Sequence, residues 1–81
     1  MKQVKPIYVE WVDSAGTSGW SNKEELHTHA LKCRSVGWLI EENDECLIIC
    51  LNHAIPPVNR EYGEVVTIPK VAVTKKKFLK L

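Results

Sequence analysis

The sequence predicts a mainly β domain, a small five-stranded barrel of SH3-like or Sm-like type with one short helix after the first strand. Three observations predict it. Apolar and polar side chains alternate with a period of two in several short stretches separated by Gly, Pro, Asn and Ser clusters. Leu31 to Asn52 reads as two apolar strands joined by the polar turn Glu41-Glu42-Asn43-Asp44-Glu45. An 81-residue chain with five short strands and a helical corner before the last one suits a small barrel better than a sandwich, which wants about seven strands. The alternative is an open five-stranded sheet whose edges pair between subunits. A single domain over residues 1–81 follows from the length.

The first strand is expected at Lys5 to Asp13, where Ile7, Val9 and Trp11 share one face. Ser14 to Trp20 is then a loop of small residues carrying one large aromatic. Ser21-Asn22-Lys23-Glu24 matches the S-x-x-E capping box and predicts a short helix through about His29, with Leu26 and Ala30 as its packing face. In the hairpin, Val36, Trp38 and Ile40 are expected on one face of the first strand, and Leu47, Ile49 and Leu51 on one face of the second. The Ile48-Ile49 pair suggests a strand covered on both sides, by a barrel wall or another subunit. Pro56-Pro57 excludes helix and central strand after His53. Glu64 to Ile68 is the fourth strand, Pro69-Lys70-Val71 a 3₁₀-type turn, and Val73 to Leu81 the fifth strand, with Val73, Phe78, Leu79 and Leu81 as candidates for burial.

A formal charge of +1 argues against a general polyanion binder, although Lys75, Lys76, Lys77 and Lys80 crowd the last strand. Three Cys without framework spacing suit a reducing cytoplasm, and neither a signal peptide nor a run long enough to span a bilayer is visible. No metal, cofactor or membrane is expected. Edges of so small a β domain make a homo-oligomer the natural assembly.

Catalytic machinery is absent from the pattern. Cys46-x₃-Cys50 superficially resembles a zinc knuckle, but the two positions lie about 13 Å apart along an extended strand. A turn centred on Asn43-Asp44 sets Cys46 opposite Glu41 and Cys50 opposite Gly37, with Cys33 beyond the ladder. His27 and His29 sit two apart on the expected helix and do not face each other. The acidic turn lacks the alternating oxygens and Gly of a calcium loop. No catalytic residue is assigned.

Binding chemistry has better candidates. Asp13, Ser14, Thr17, Ser18, Gly19 and Trp20 combine hydroxyls, backbone amides and an aromatic plate able to stack a base. The competing reading makes Trp20 a hydrophobic staple for the Ser21 cap. Arg60 or Lys70, from loops expected at one barrel end, would hold phosphate. Together these eight residues suit a phosphorylated, base-containing small ligand.

The spacing V-x-W-V-D-S at Val9 to Ser14, G-W at Gly19-Trp20, S-V-G-W-L at Ser35 to Leu39 and I-P-K at Ile68 to Lys70 resembles short proteins encoded by bacteriophages and prophages. The resemblance runs from about Val9 to the C-terminus and implies a phage accessory protein acting in the bacterial host cytoplasm. By analogy, small phage proteins of this size include oligomeric, non-catalytic sponges that sequester cyclic-nucleotide signals of host defence systems such as CBASS and Thoeris. The expected function is therefore sequestration of a small phosphorylated ligand, most naturally a cyclic nucleotide. The alternatives are a module that binds a host protein, or an Sm-like single-stranded nucleic-acid binder using the terminal lysines, against which the near-neutral charge counts.

Overall fold

The computed structural model describes residues 4–81; residues 1–3 of the expected domain lie outside them. Five antiparallel strands, β1 (Lys5–Asp13), β2 (Leu31–Glu42), β3 (Cys46–His53), β4 (Tyr62–Pro69) and β5 (Val73–Phe78), form one sheet in the order β4-β3-β2-β1-β5. The first strand stands as expected. β4 starts two residues earlier than its β-branched run, and β5 ends at Phe78, leaving Leu81 fully exposed. Single 3₁₀ turns occupy Lys23–Glu25 and Lys70–Ala72.

β2 serves two partners. It pairs with β1 from Asp13↔Leu31 to Lys5↔Leu39 and with β3 from Trp38↔Cys50 to Glu42↔Leu47. Gly37, paired with Ile7 of β1 beside this shared segment, is buried. A Cβ at Gly37 would sit 2.5 Å from the Cys50 carbonyl oxygen, so only glycine lets the two backbones approach. The inward face collects Ile7, Val9, Leu47, Ile49 and Ile68, with Trp11, Leu39, Val66, Ala72 and Val73 packed against them. Each fully buried Ile or Leu side chain contributes roughly 1.5–3 kcal/mol.

Four expectations are corrected. The barrel is not closed, since β4 and β5 are the two edges of the sheet and no ladder joins them. Glu42 at the end of β2 forms ion pairs with Lys70 of the corner turn, at 3.1 Å, and with Lys76 of β5. The Lys70 amide also donates to the Glu45 carbonyl at 2.8 Å.

The helix through His29 is reduced to the turn at Lys23–Glu25, and the whole segment from Ser14 to Ala30 is exposed. The capping box does not form; Asn22, not Ser21, precedes the turn and makes no side-chain cap. Leu26 and Ala30 alone give no apolar stripe to bury, and so short a helix does not stand without one.

The phase of β2 is reversed. Leu39 and Gly37 face inward, while Val36 is 59% exposed on the opposite face. The cause is a bulge at Ile40, where the β2–β3 register shifts between Leu39 and Glu41. A bulge inserts one residue and moves later side chains to the other face. Cys50 therefore lies opposite Trp38, and Cys46 pairs with Pro69 of β4 rather than with Glu41. Leu51, expected beside Leu47 and Ile49, is 61% exposed because β3 has passed the end of its ladder with β2.

The turn itself narrows to Asn43–Glu45. The Asn43 side-chain oxygen accepts from the amides of Glu45 and Cys46, both at 2.9 Å, an Asx arrangement that closes tight turns.

Candidate ligand site

Asp13 pairs with Leu31, so the Ser14–Ala30 loop hangs from the end of the β1–β2 ribbon. Gly19 takes a left-handed φ of 75° that side-chain-bearing residues rarely adopt. The next residue, Trp20, is fully exposed, which removes the staple reading. The Ser14 amide donates to Asp13 Oδ1 at 2.8 Å, pinning the loop at its root.

Beneath that root the ladder continues as Val12↔Lys32, Trp11↔Cys33 and Glu10↔Arg34. A cleft of about 570 Å³ opens here, lined by Glu10, Trp11, Val12, Lys32, Cys33, Arg34 and Thr74. Trp11 is fixed by its indole N–H, which donates to Ser35 Oγ at 3.0 Å. Thr74 Oγ1 donates to the Glu10 carbonyl at 3.2 Å across the β1–β5 irregularity.

Residues directly opposite in an antiparallel ladder share a face. Tyr8 lies between Val36 and Lys77, and Glu10 between Arg34 and Lys75. Lys32, Arg34, Lys75 and Lys77 therefore fall on one outward face around a single carboxylate, Glu10. Among the described residues none of these four cations is in an ion pair. The Tyr8 hydroxyl donates to the Glu10 carboxylate, and this hydrogen bond holds the phenol above its usual pKa.

The eight residues expected to bind do not all come together. Asp13, Ser14, Thr17, Ser18, Gly19 and Trp20 occupy the root and span of one exposed loop. Lys70 is engaged elsewhere: its ammonium binds Glu42 and donates to the Asn43 carbonyl at 3.1 Å, beside the β2–β3 turn. Arg60 is exposed in the loop after β3. Among the described residues no ion pair or hydrogen bond links Arg60 or Lys70 to residues 13–20. The cations nearest the root of the loop are Lys32 and Arg34 of β2, which are not among the eight. Their signal was an i, i+2 pair of cations on a strand, repeated at Lys75 and Lys77.

Burial pushes the Cys50 thiol up from its usual pKa, away from the reactive thiolate. His53 Nε2 lies 2.9 Å from Glu61 Oε2, and its ring stacks on Tyr62 at 5.4 Å between centroids, which pins the end of the β3–β4 ribbon. Among the described residues no three His, Cys, Asp or Glu side chains gather as a metal site, and no helix is long and apolar enough to cross a membrane. No protein-family model, curated protein or solved structure matches the chain.

Proposed function

We propose that the protein is a non-catalytic binding protein for a small phosphorylated, base-containing ligand, with the cleft beside the root of the Trp20 loop as its site. One observation carries this reading: the strand register gathers Lys32, Arg34, Lys75 and Lys77 on the face that borders the cleft. The cleft volume lies within the roughly 300–1,000 Å³ typical of small-molecule sites. The Arg34 fork suits a phosphate, the lysines add charge, and the exposed Trp20 indole supplies a plate for a base. The resemblance to phage-encoded proteins makes cyclic di- and trinucleotides the first ligands to try, and sequestration of such a signal the role.

Titration calorimetry of the full chain against cyclic di- and trinucleotides tests it. Wild type is expected to bind one of them. Arg34→Ala should weaken binding by about 10-fold or more, since a charge-assisted hydrogen bond is worth ~1.5–3 kcal/mol. Trp20→Ala should cost a similar factor through lost stacking of ~1–3 kcal/mol, with the melting temperature unchanged because the side chain touches no core. Absence of binding to every nucleotide, or binding indifferent to Arg34→Ala, sinks the reading. Strongly salt-dependent binding of single-stranded oligonucleotides alone would replace it with the nucleic-acid reading.

A further inference from the structure

Building on the reading of the cleft as a phosphate site, we propose that Glu10 selects ligands with a free hydroxyl on the carbon next to the phosphorylated one. In a nucleotide, that means a ribose rather than a deoxyribose. Glu10 is the sole carboxylate lining the cleft among the described residues. The register sets it between Arg34 of β2 and Lys75 of β5. Among the described residues it is nevertheless in no ion pair. Its carboxylate takes one side-chain hydrogen bond there, from the Tyr8 hydroxyl to Oε2, which leaves Oε1 without a protein partner.

The position of this acceptor is fixed. Tyr8 stands two residues earlier on the same face of β1 and anchors one carboxylate oxygen. Below the side chain, the Glu10 carbonyl accepts from Thr74 Oγ1 at 3.2 Å, which ties this point of β1 to β5. The cleft thus holds a half-buried, oriented acceptor amid Lys32, Arg34, Lys75 and Lys77.

For a bare anion, a carboxylate at this place is a disadvantage, because it repels phosphate and offsets part of the attraction of the cations. The same group becomes favourable once the ligand brings a donor to it, since a hydrogen bond to an ionised acceptor is about twice as strong as a neutral one. A ligand lacking the donor leaves the carboxylate unpaired beside the phosphate, and sites built to bond a hydroxyl reject such analogues strongly. Spacing decides which donor can reach. Directly opposite residues in an antiparallel ladder have Cβ atoms about 4.5–5.5 Å apart. A phosphate held by Arg34 or Lys75 therefore brings only its adjoining groups to Glu10. In a nucleotide those groups belong to the sugar, and the base lies a ring farther out. The hydroxyl beside the phosphate is the group by which proteins tell ribose from deoxyribose.

Calorimetry of the full chain against cyclic di- and trinucleotides, each paired with its deoxyribose counterpart, tests the proposal. Wild type is expected to bind the ribose form about 10-fold or more tightly than the deoxyribose form. Glu10→Leu removes both the acceptor and the repulsion. The deoxyribose form should then bind more tightly than it does to wild type, and the ratio of the two affinities should fall to about one. Glu10→Gln keeps an uncharged acceptor and should give an intermediate ratio. The wild-type comparison needs no substitution and decides the matter even if a variant fails to fold. Equal affinity of wild type for the two forms, or a ratio that survives Glu10→Leu, would overturn this inference alone and leave the phosphate site in place. Failure of every ribose and deoxyribose form to bind would remove both.

Discussion

The inward and outward faces of the sheet around Trp38 both carry apolar side chains, and the chain treats them differently. Inward, Ile7, Val9, Leu47, Ile49 and Ile68 are between 0% and 3% exposed. Outward, Val36 and Val65 remain more than half exposed although they sit one residue away from Gly37 and Val66 on the same strands. Inward, side chains of β1, β3 and β4 pack against one another in one cluster. Outward, among the described strand residues, only Cys50, flanked by Trp38 and Val65, is buried. A strand side chain's hydrophobicity therefore does not decide its burial; the row it packs against does. The outward face is charged where β1, β2 and β5 meet and apolar where β2, β3 and β4 meet.

Substitutions can break this comparison. Ile68→Ala, on the inward face, is expected to cost about 2–5 kcal/mol by leaving a cavity. Val65→Ala, three residues earlier on the outward face, should change the stability of the fold by less than ~0.5 kcal/mol. Urea titration at low protein concentration measures both, and equal costs would contradict the assignment of faces. Gly37→Ala tests the close approach of β2 to β3. A methyl directed at the Cys50 carbonyl should cost about 1–3 kcal/mol through overpacking and a shifted β2–β3 ladder, seen as a lower melting temperature.

The smallest effect belongs to the ion pairs that tie the end of β2 to Lys70 and to Lys76 of β5. Hydrogen bonding from Lys76 first, and then from Lys70, holds the Glu42 carboxyl below its usual pKa. A carboxyl depressed in the folded state contributes stability above its unfolded pKa and loses it as pH falls through the folded one. Stability should thus decline on acidification below the ordinary carboxylate range. Glu42→Gln should remove on the order of 1 kcal/mol at neutral pH and leave the acid limit unchanged. A wild-type and variant difference that persists in acid would show that Glu42 acts through packing rather than charge.

Much of the architecture was legible in the residues. The alternation at Lys5–Asp13, the acidic turn between two apolar runs and the Pro69-Lys70 corner each depend on local chemistry: period-two burial, Asx closure and the fixed φ of proline. The helix misread at Ser21–Glu24 had the capping residues but not the apolar stripe that would have held it. In the candidate site, Trp20 could be singled out because a Trp after Gly19, outside any periodic run, has no local reason to be buried. Arg60 and Lys70 join the site only where loops converge at one barrel end, which depends on barrel closure.

By itself, then, the sequence determined where the strands run and the order in which short turns join them, because these follow from interactions spanning a few residues. Only the tertiary structure decided the face of β2, the open edge between β4 and β5, and the gathering of Lys32 and Arg34 with Lys75 and Lys77. A single inserted residue at Ile40 shifts the β2–β3 register without leaving any mark on composition or alternation. The cations of β2 and β5 are far apart in the chain, and they become neighbours only because β1 pairs with both strands.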